Sequence, residues 1–149
     1  FRMRDMLNNK QAVHLGNLTL SGDTPAASAW VDLRGFDACT LVMVNNTVTD
    51  AGTAEGFTAT MQHGDDTTAA GAANAVADDA IDETLTIQVT ADDADNAVAG
   101  GLGYKGSKRY VRLNVVGTTN TDADVSVMAL LNKPHRAPTE FVGTAVSAT

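Results

Sequence analysis

The chain has 149 residues, with 10 Lys and Arg against 18 Asp and Glu, and its formal net charge is −8. This length fits one domain that can bury a core without disulfides or a structural metal. The charge argues against wrapping nucleic acid or coating an anionic membrane, because both need a positive surface. The charges are also uneven along the chain. No Lys or Arg occurs between Arg34 and Lys105, whereas twelve acids lie from Asp37 to Asp95, so the middle carries −12 and the two flanks together +4.

The sequence contains no recognisable targeting segment. The first residues are charged and are not followed by the apolar stretch of a secretory signal. The longest apolar runs, such as residues 127–131, are too short to span a bilayer. We therefore expect a soluble protein that is made in a cytoplasm. The single cysteine, Cys39, excludes an intrachain disulfide, and its apolar surroundings predict a buried, unreactive thiol.

Alternation of apolar and polar residues dominates the chain, and helical periodicity is nearly absent. Such alternation is typical of half-buried strands. In the first strand the apolar parity switches at Gly16, which predicts a β-bulge there. The predicted strands, in chain order, cover residues 13–20, 30–33, 41–44, 57–63, 84–90, 111–115 and 125–131.

The connectors are rich in Gly, Asn, Asp, Thr and Ala. Residues 64–82 and 91–103 are predicted to be long acidic loops, and residues 117–124 a hairpin loop. Seven or so short strands with polar turns favour an all-β fold, an antiparallel β-sandwich or jelly roll. The ends lack alternation. We therefore expect a single domain, residues 1–149, with an N-terminal arm (1–11), a β-sandwich body (12–132) and an extended C-terminal tail (133–149) that become ordered on a partner.

Candidate sites for chemistry are few. The cluster Asp92, Asp93 and Asp95 is the best metal candidate, since calcium prefers carboxylate oxygens. It lacks the spacing of an EF-hand, and a solvated acidic loop is the alternative. The three histidines are far apart in sequence and outside zinc-binding spacings, and no nucleophile elbow or phosphate-binding loop is present. We therefore predict no enzymatic activity and no cofactor.

The densest basic segment is 104–112, Tyr-Lys-Gly-Ser-Lys-Arg-Tyr-Val-Arg, which runs into a predicted strand. Two interpretations stay open at this point. The segment could form a positive contact patch for a partner, or its basic side chains could neutralise the protein's own acidic loops.

Several segments resemble small structural proteins of tailed bacteriophages. Residues 31–37, Val-Asp-Leu-Arg-Gly-Phe-Asp, precede an apolar strand as in those proteins. Residues 103–112 resemble their Gly-Tyr-x-Gly-x-x-Arg-Tyr-x-Arg block, and residues 134–138 resemble their closing Pro-Arg-His-Ala-Pro with His and Arg exchanged. The opening residues 3–9 are also similar. The acidic, Ala-rich loop 64–82 departs from the short loop expected there.

The resemblance implies a decoration, or cement, protein. Some of the proteins concerned are similar to jelly-roll proteins that sit as trimers on the capsid, and many are encoded beside the major capsid protein. On this basis we expect a virion protein on the outer surface of the head, made in the host bacterial cytoplasm, with the major capsid protein and further copies of itself as partners. We expect no nucleic-acid or membrane partner.

The charge split indicates how such a protein would attach. The basic ends, residues 1–10 and 133–139, are expected to contact capsid subunits, and the acidic loops to face solvent. The expected capsid contacts are Arg2, Arg4, Lys10, Lys105, Lys108, Arg109, Lys133 and Arg136.

Two other functions remain alternatives. The first is another virion component, such as a tail or head–tail junction protein. A junction protein would be present as a single ring of copies, whereas a decoration protein would be present in hundreds per particle. A carbohydrate-binding jelly roll would need exposed aromatic side chains, for which only Trp30, Tyr104 and Tyr110 are candidates.

Overall fold

The computed structural model describes residues 7–68, 70–74, 86–136 and 139–147. Within them the regular secondary structure is strand apart from one 3₁₀ turn at Leu7–Asn9. The strands are β1 (Lys10–Ser21), β2 (Ala26–Ala27), β3 (Val31–Asp32), β4 (Phe36–Asp50), β5 (Phe57–Gly64), β6 (Ala73–Asn74), β7 (Thr86–Val89), β8 (Ala97–Gly103), β9 (Tyr110–Val116), β10 (Asp122–Pro134) and β11 (Val142–Gly143).

The strands form two sheets that pack as a β-sandwich, as predicted. The first sheet has the order β11-β1-β10-β4-β8, and the second has β2-β9-β5-β6, with β3 beside β9 and β7 beside β5. The antiparallel pairs are nested: β1 pairs with β10, β3 with β9, β4 with β8 and β5 with β7. This nesting is the jelly-roll connectivity, in which a long folded ribbon of paired strands is rolled into two sheets.

The core lies between the two sheets and follows the alternation seen in the sequence. On β10 the odd-numbered residues 123–131 are buried and their even-numbered neighbours face outward. Their counterparts on β9, Leu113 and Val115, are fully buried from the other sheet. Burying aliphatic side chains of this kind contributes roughly 1.5–3 kcal/mol each, which makes the inner faces the main source of stability.

The predicted β-bulge in the first strand is confirmed. The β1–β10 register shifts between His14 and Gly16, and Gly16 adopts φ +117°, a backbone conformation that L side chains rarely adopt. The extra residue shifts the alternation of the strand by one position. As a result, Val13, Leu15 and Leu20 all point into the core.

One predicted loop is wrong in its second half. Residues 97–103 form β8, the edge strand of the first sheet, although we expected a loop from 91 to 103. Its sequence, Ala-Val-Ala-Gly-Gly-Leu-Gly, has small residues at facing positions and so shows little alternation. Gly100 lies where an added Cβ would meet Ile87 of β7 at 3.2 Å, so small residues here allow the two sheets to approach closely.

The described part of the C-terminal tail contacts the body. The strand β10 continues through Lys133 and Pro134, two residues past the expected boundary of the body. Further along, β11 pairs in parallel with β1, and Trp30 and Val146 exchange backbone hydrogen bonds of 2.9 and 2.8 Å. Residues 1–6 lie outside the described residues, and the division into arms and body stays a prediction.

Candidate interaction surface

The jelly roll sorts charged residues to its two ends. At one end lie the loops that follow β1, β4 and β7 and the start of β10. This acidic end carries eight acids and, among the described residues, no Lys or Arg. The eight acids are Asp23, Asp50, Glu55, Asp92, Asp93, Asp95, Asp122 and Asp124.

The opposite end holds the basic side chains. It is formed by the start of β1, the β3–β4 turn, the loop after β5, the segment before β9 and the end of β10. Among the described residues, seven bases lie at this basic end, against the five acids Asp32, Asp37, Asp65, Asp66 and Glu140. The seven bases are Lys10, Arg34, Lys105, Lys108, Arg109, Lys133 and Arg136.

Position in the fold therefore describes the charge better than position in the chain. Asp122 and Asp124 belong to the basic C-terminal flank of the sequence but lie at the acidic end. Asp37 and Asp65, from the acidic middle, lie at the basic end. Each strand of a jelly roll runs from one end of the sandwich to the other. Residues of one strand can therefore lie at opposite ends, and residues far apart in sequence can lie at the same end.

An ion pair joins two of the segments that carry the phage resemblance. The Arg109 guanidinium donates from Nε to Asp32 Oδ1 at 3.1 Å and from Nη2 to Oδ2 at 2.8 Å. The hydrogen bonds from Arg109 hold the pKa of Asp32 below its ordinary value, and the same contact raises the pKa of Arg109. Two parallel bonds of this kind fix the orientation of both side chains.

Lys108 and Tyr104 form a second set of contacts in the same segment. The Lys108 ammonium lies 2.6 Å from Asp65 Oδ2, which raises the pKa of the lysine. The Tyr104 hydroxyl accepts a bond from the Lys108 backbone N–H and lies 2.8 Å from His63 Nδ1. Burial raises the pKa of Tyr104, so its hydroxyl stays protonated at neutral pH. The tyrosine thus anchors the loop 105–108 onto the sandwich.

Arg112 has a structural role. It is buried, its guanidinium lies 4.5 Å from the ring centroid of Trp30, and its Nε donates to Gln62 Oε1 at 2.9 Å. Burial lowers the pKa of this arginine from its ordinary value. A cation over an indole face is held by the ring quadrupole, which compensates in part for lost hydration.

The two interpretations of the segment 104–112 can now be weighed residue by residue. Lys108, Arg109 and Arg112 have partners within the chain, which fits internal neutralisation. Lys105 is exposed and forms no ion pair with any described residue, and the same holds for Lys133 and Arg136. Of the predicted contacts, the half-buried Lys10 lies at the same end, whereas Arg2 and Arg4 lie outside the described residues.

A groove of about 530 Å³ opens at the basic end. Its lining includes Arg34, Phe36 and His135, and the last of these forms a 2.7 Å contact with Asp37. A second recess beside it shares Phe36 and His135 and reaches Arg136 and Glu140. Arg34 and Phe36 were missed by the sequence analysis, because nothing in their local pattern shows that the turn 33–35 meets the segment 104–109.

The calcium candidate does not form a metal-binding cluster. Asp92 accepts a bond from the Ala51 backbone N–H at 2.8 Å, and Asp95 accepts one from Val48 at 2.6 Å. Both carboxylates therefore hold the loop against the end of β4. Among the described residues, no group of three or more His, Cys, Asp or Glu is placed to hold a metal ion.

Cys39 is buried on β4, as expected from its sequence. Burial raises the pKa of its thiol to about 12, so the reactive thiolate is scarce at neutral pH. Within the described residues, no helix is both long and apolar enough to cross a membrane.

Comparison with known proteins gives little further information. No family model matches the chain, and no curated protein matches it. Among solved structures, a chain described under "Bacillus endospore appendages form a novel family of disulfide-linked pili" shares 12% identity with a TM-score of 0.32. That alignment covers 90% of this chain and 99% of the other.

Proposed function

We propose that the protein is a non-enzymatic virion protein, a decoration protein that binds the outer surface of a tailed-phage head. It attaches by its basic end and stabilises the shell by bridging neighbouring subunits of the major capsid protein. Because such a protein prefers the assembled shell, its binding stabilises assembly by linkage. Several copies, as in the homotrimer implied by the resemblance, would add avidity.

The segregation of charge is the observation that carries this proposal. A protein with bases at one end and acids at the other has a preferred orientation on a surface with negative patches. The exposed Lys105, Lys133 and Arg136 lack partners in the described chain and so remain available to an acidic surface. The acidic end then faces solvent.

The segments that resemble phage proteins also meet at the basic end. Asp32, in segment 31–37, binds Arg109 in segment 103–112, and Asp37, also in segment 31–37, binds His135 in the closing block 134–138. Three segments that are far apart in sequence therefore build one surface. If all three segments form one attachment surface, their occurrence in the same chain has a physical reason.

The three aromatic residues considered for carbohydrate binding all have contacts within the protein. Trp30 is fully buried, the Tyr104 hydroxyl is engaged by Lys108, and the half-buried Tyr110 ring has Arg109 over its face at 4.9 Å. Each of the three is therefore already engaged within the protein, which makes it a poorer stacking platform for a sugar ring. The tail or junction alternative is separated by copy number and location in purified particles.

Charge reversal at each end tests the proposal. Heads that lack the protein would be mixed with purified variants, and occupancy measured by co-sedimentation. The variant Lys105→Glu/Lys133→Glu/Arg136→Glu should bind roughly tenfold or more weakly, because attraction becomes repulsion. The matched control Asp23→Lys/Glu55→Lys/Asp122→Lys reverses three exposed acids at the other end and should keep full occupancy.

Deletion of residues 1–10 tests the N-terminal contribution, which includes Arg2, Arg4 and Lys10. We expect weaker binding by a protein that is still folded by circular dichroism. Wild-type occupancy for both the deletion and the basic-end variant would overturn attachment by the basic end.

A further inference from the structure

The two outer faces of the sandwich differ in chemistry. In a sandwich with water on both sides, outward positions are normally polar. The outer face of the second sheet is mostly polar, with Thr58, Thr60 and Gln62 on β5 and Asn114 on β9, and Val116 is an exposed aliphatic residue at its margin. The outer face of the first sheet departs from this rule.

Three adjacent rows cross the centre of the first sheet on its outward side. One row runs Val142–Ala12–Leu130–Thr40, the next runs His14–Met128–Val42–Gly101, and the third runs Asn17–Ser126–Val44–Val98, in which Ser126 and Asn17 are hydrogen-bonded to each other. Val142 is 76% exposed, Val98 68% and Met128 38%. We call these three rows the neutral face, since they contain no Asp, Glu, Lys or Arg.

The nearest Lys and Asp residues border the neutral face along the strand direction. Toward the basic end the next row pairs Lys10 with Asn132, and toward the acidic end Thr19 pairs with Asp124. The face therefore lies on the side of the molecule between the two charged ends. Single exposed apolar residues are ordinary, but a contiguous uncharged face with this much exposed aliphatic surface indicates a contact surface.

We propose that the neutral face is the surface through which copies of this chain contact one another. This inference rests on the proposed function for the orientation of the molecule. Copies that all stand with the basic end on a shell bring like-charged ends near each other. They must then be held together through a side without Asp, Glu, Lys or Arg, and the neutral face is such a side.

The energetics favour another copy over a charged partner surface at this position. Contact between two apolar faces buries aliphatic area and desolvates no ion. A shell surface that attracts the basic end through acidic groups would place charge against Met128, Val42 and Val98, where no described counter-charge is available. The neutral face therefore fits its own counterpart better than it fits the shell.

A matched pair of substitutions tests the inference. Met128→Glu places a charge at the centre of the neutral face, and Val116→Glu places one on the outer side of the second sheet, at a residue of similar exposure, 36%. We expect the wild type to have a solution mass that is a multiple of 15.4 kDa by light scattering. Met128→Glu should weaken self-association roughly tenfold or more, because a charge would lose its hydration in the contact. Val116→Glu should behave like the wild type.

The outcomes separate this inference from the proposed function. A monomeric wild type at about 100 μM, where even a micromolar contact is populated, would overturn it. An oligomer that Met128→Glu leaves intact would also overturn it. If that intact oligomer no longer bound heads, the neutral face would contact the shell and not another copy. Conversely, if self-association depends on Met128 but the wild type does not bind heads, the neutral face stands and the proposed function fails.

Discussion

Arg109 holds both carboxylate oxygens of Asp32, at 3.1 and 2.8 Å, although the two residues are 77 positions apart. The two residues are neighbours because Asp32 on β3 pairs with Tyr110 at the start of β9, and Arg109 directly precedes Tyr110. The ion pair therefore fastens the short strand β3 to the second sheet. It also fixes the turn 33–35 that forms part of the groove at the basic end.

Asp32→Asn should reduce stability at neutral pH and have little effect in acid. The hydrogen bonds from Arg109 keep the pKa of Asp32 lower in the folded than in the unfolded protein. The stabilisation is therefore present above the unfolded pKa, about 3.9, and is lost as the pH falls through the lower folded value. Urea midpoints of wild type and variant should differ at pH 7 and converge as the pH falls below the unfolded pKa of Asp32.

The control for this change is Asp23→Asn, which removes an exposed carboxylate at the acidic end. Its midpoint should stay close to wild type at pH 7. A constant difference between Asp32→Asn and wild type at all pH values would contradict the ion pair as the source of the effect.

Trp30→Phe should destabilise the fold by about 2 kcal/mol. The substitution removes the bond from Trp30 Nε1 to the Thr67 carbonyl oxygen, worth about 1 kcal/mol. It also weakens the contact with the Arg112 guanidinium and leaves unfilled volume in the core. Urea denaturation followed by circular dichroism measures the change, because Trp30 is the only tryptophan and its fluorescence would be lost.

Tyr110→Phe is the comparison for that measurement. It keeps an aromatic ring beneath an arginine, with Arg109 at 4.9 Å, and should change stability by less than about 0.5 kcal/mol. Equal losses of stability in the two variants would contradict a contribution from the Trp30 hydrogen bond and from the volume that its indole fills.

Alternation in the sequence was sufficient to predict the sandwich but not the surface. The predicted strands near 57–63, 111–115 and 125–131 are β5, β9 and β10, because each has one buried and one open face. The strand β8 was missed since its glycines leave no pattern. The pairing of Asp32 with Arg109 could not be predicted, because it depends on which strands become neighbours.

The charge pattern shows the same limit. Counting acids along the chain indicated two surfaces, and the structure contains two charged ends. Position along the chain does not, however, give the end at which an individual residue lies when its strand crosses the sandwich. Thus β10 begins with Asp122 at the acidic end and finishes with Lys133 at the basic end, within one continuous element.

Gly56→Ala should destabilise the fold by roughly 2–3 kcal/mol. Gly56 has φ +64°, and an added Cβ would overlap the Val89 carbonyl oxygen in the backbone of the neighbouring strand β7. A backbone atom cannot move aside without disturbing the β5–β7 pairing. Gly101→Ala is the matched control, because its nearest contact is an ordinary 3.5 Å from the Leu41 carbonyl oxygen and its φ is not positive. Urea midpoints that fall equally in both variants would contradict this account.

Cys39 should react with a thiol reagent only when the protein unfolds. The thiol is buried in the core between the sheets, and burial raises its pKa to about 12. Cys39 lies next to the groove at the basic end but is only 5% exposed, so we expect slow labelling until β4, between β8 and β10 in the first sheet, opens. Labelling by an aromatic disulfide at pH 8 should be slow in buffer and reach one equivalent per chain in denaturing urea.

The labelling rate should rise in Gly56→Ala, because a destabilised fold opens more often, and stay at the wild-type value in Gly101→Ala. Rapid labelling of the native wild type would place the thiol at an accessible surface and contradict the packing of β4.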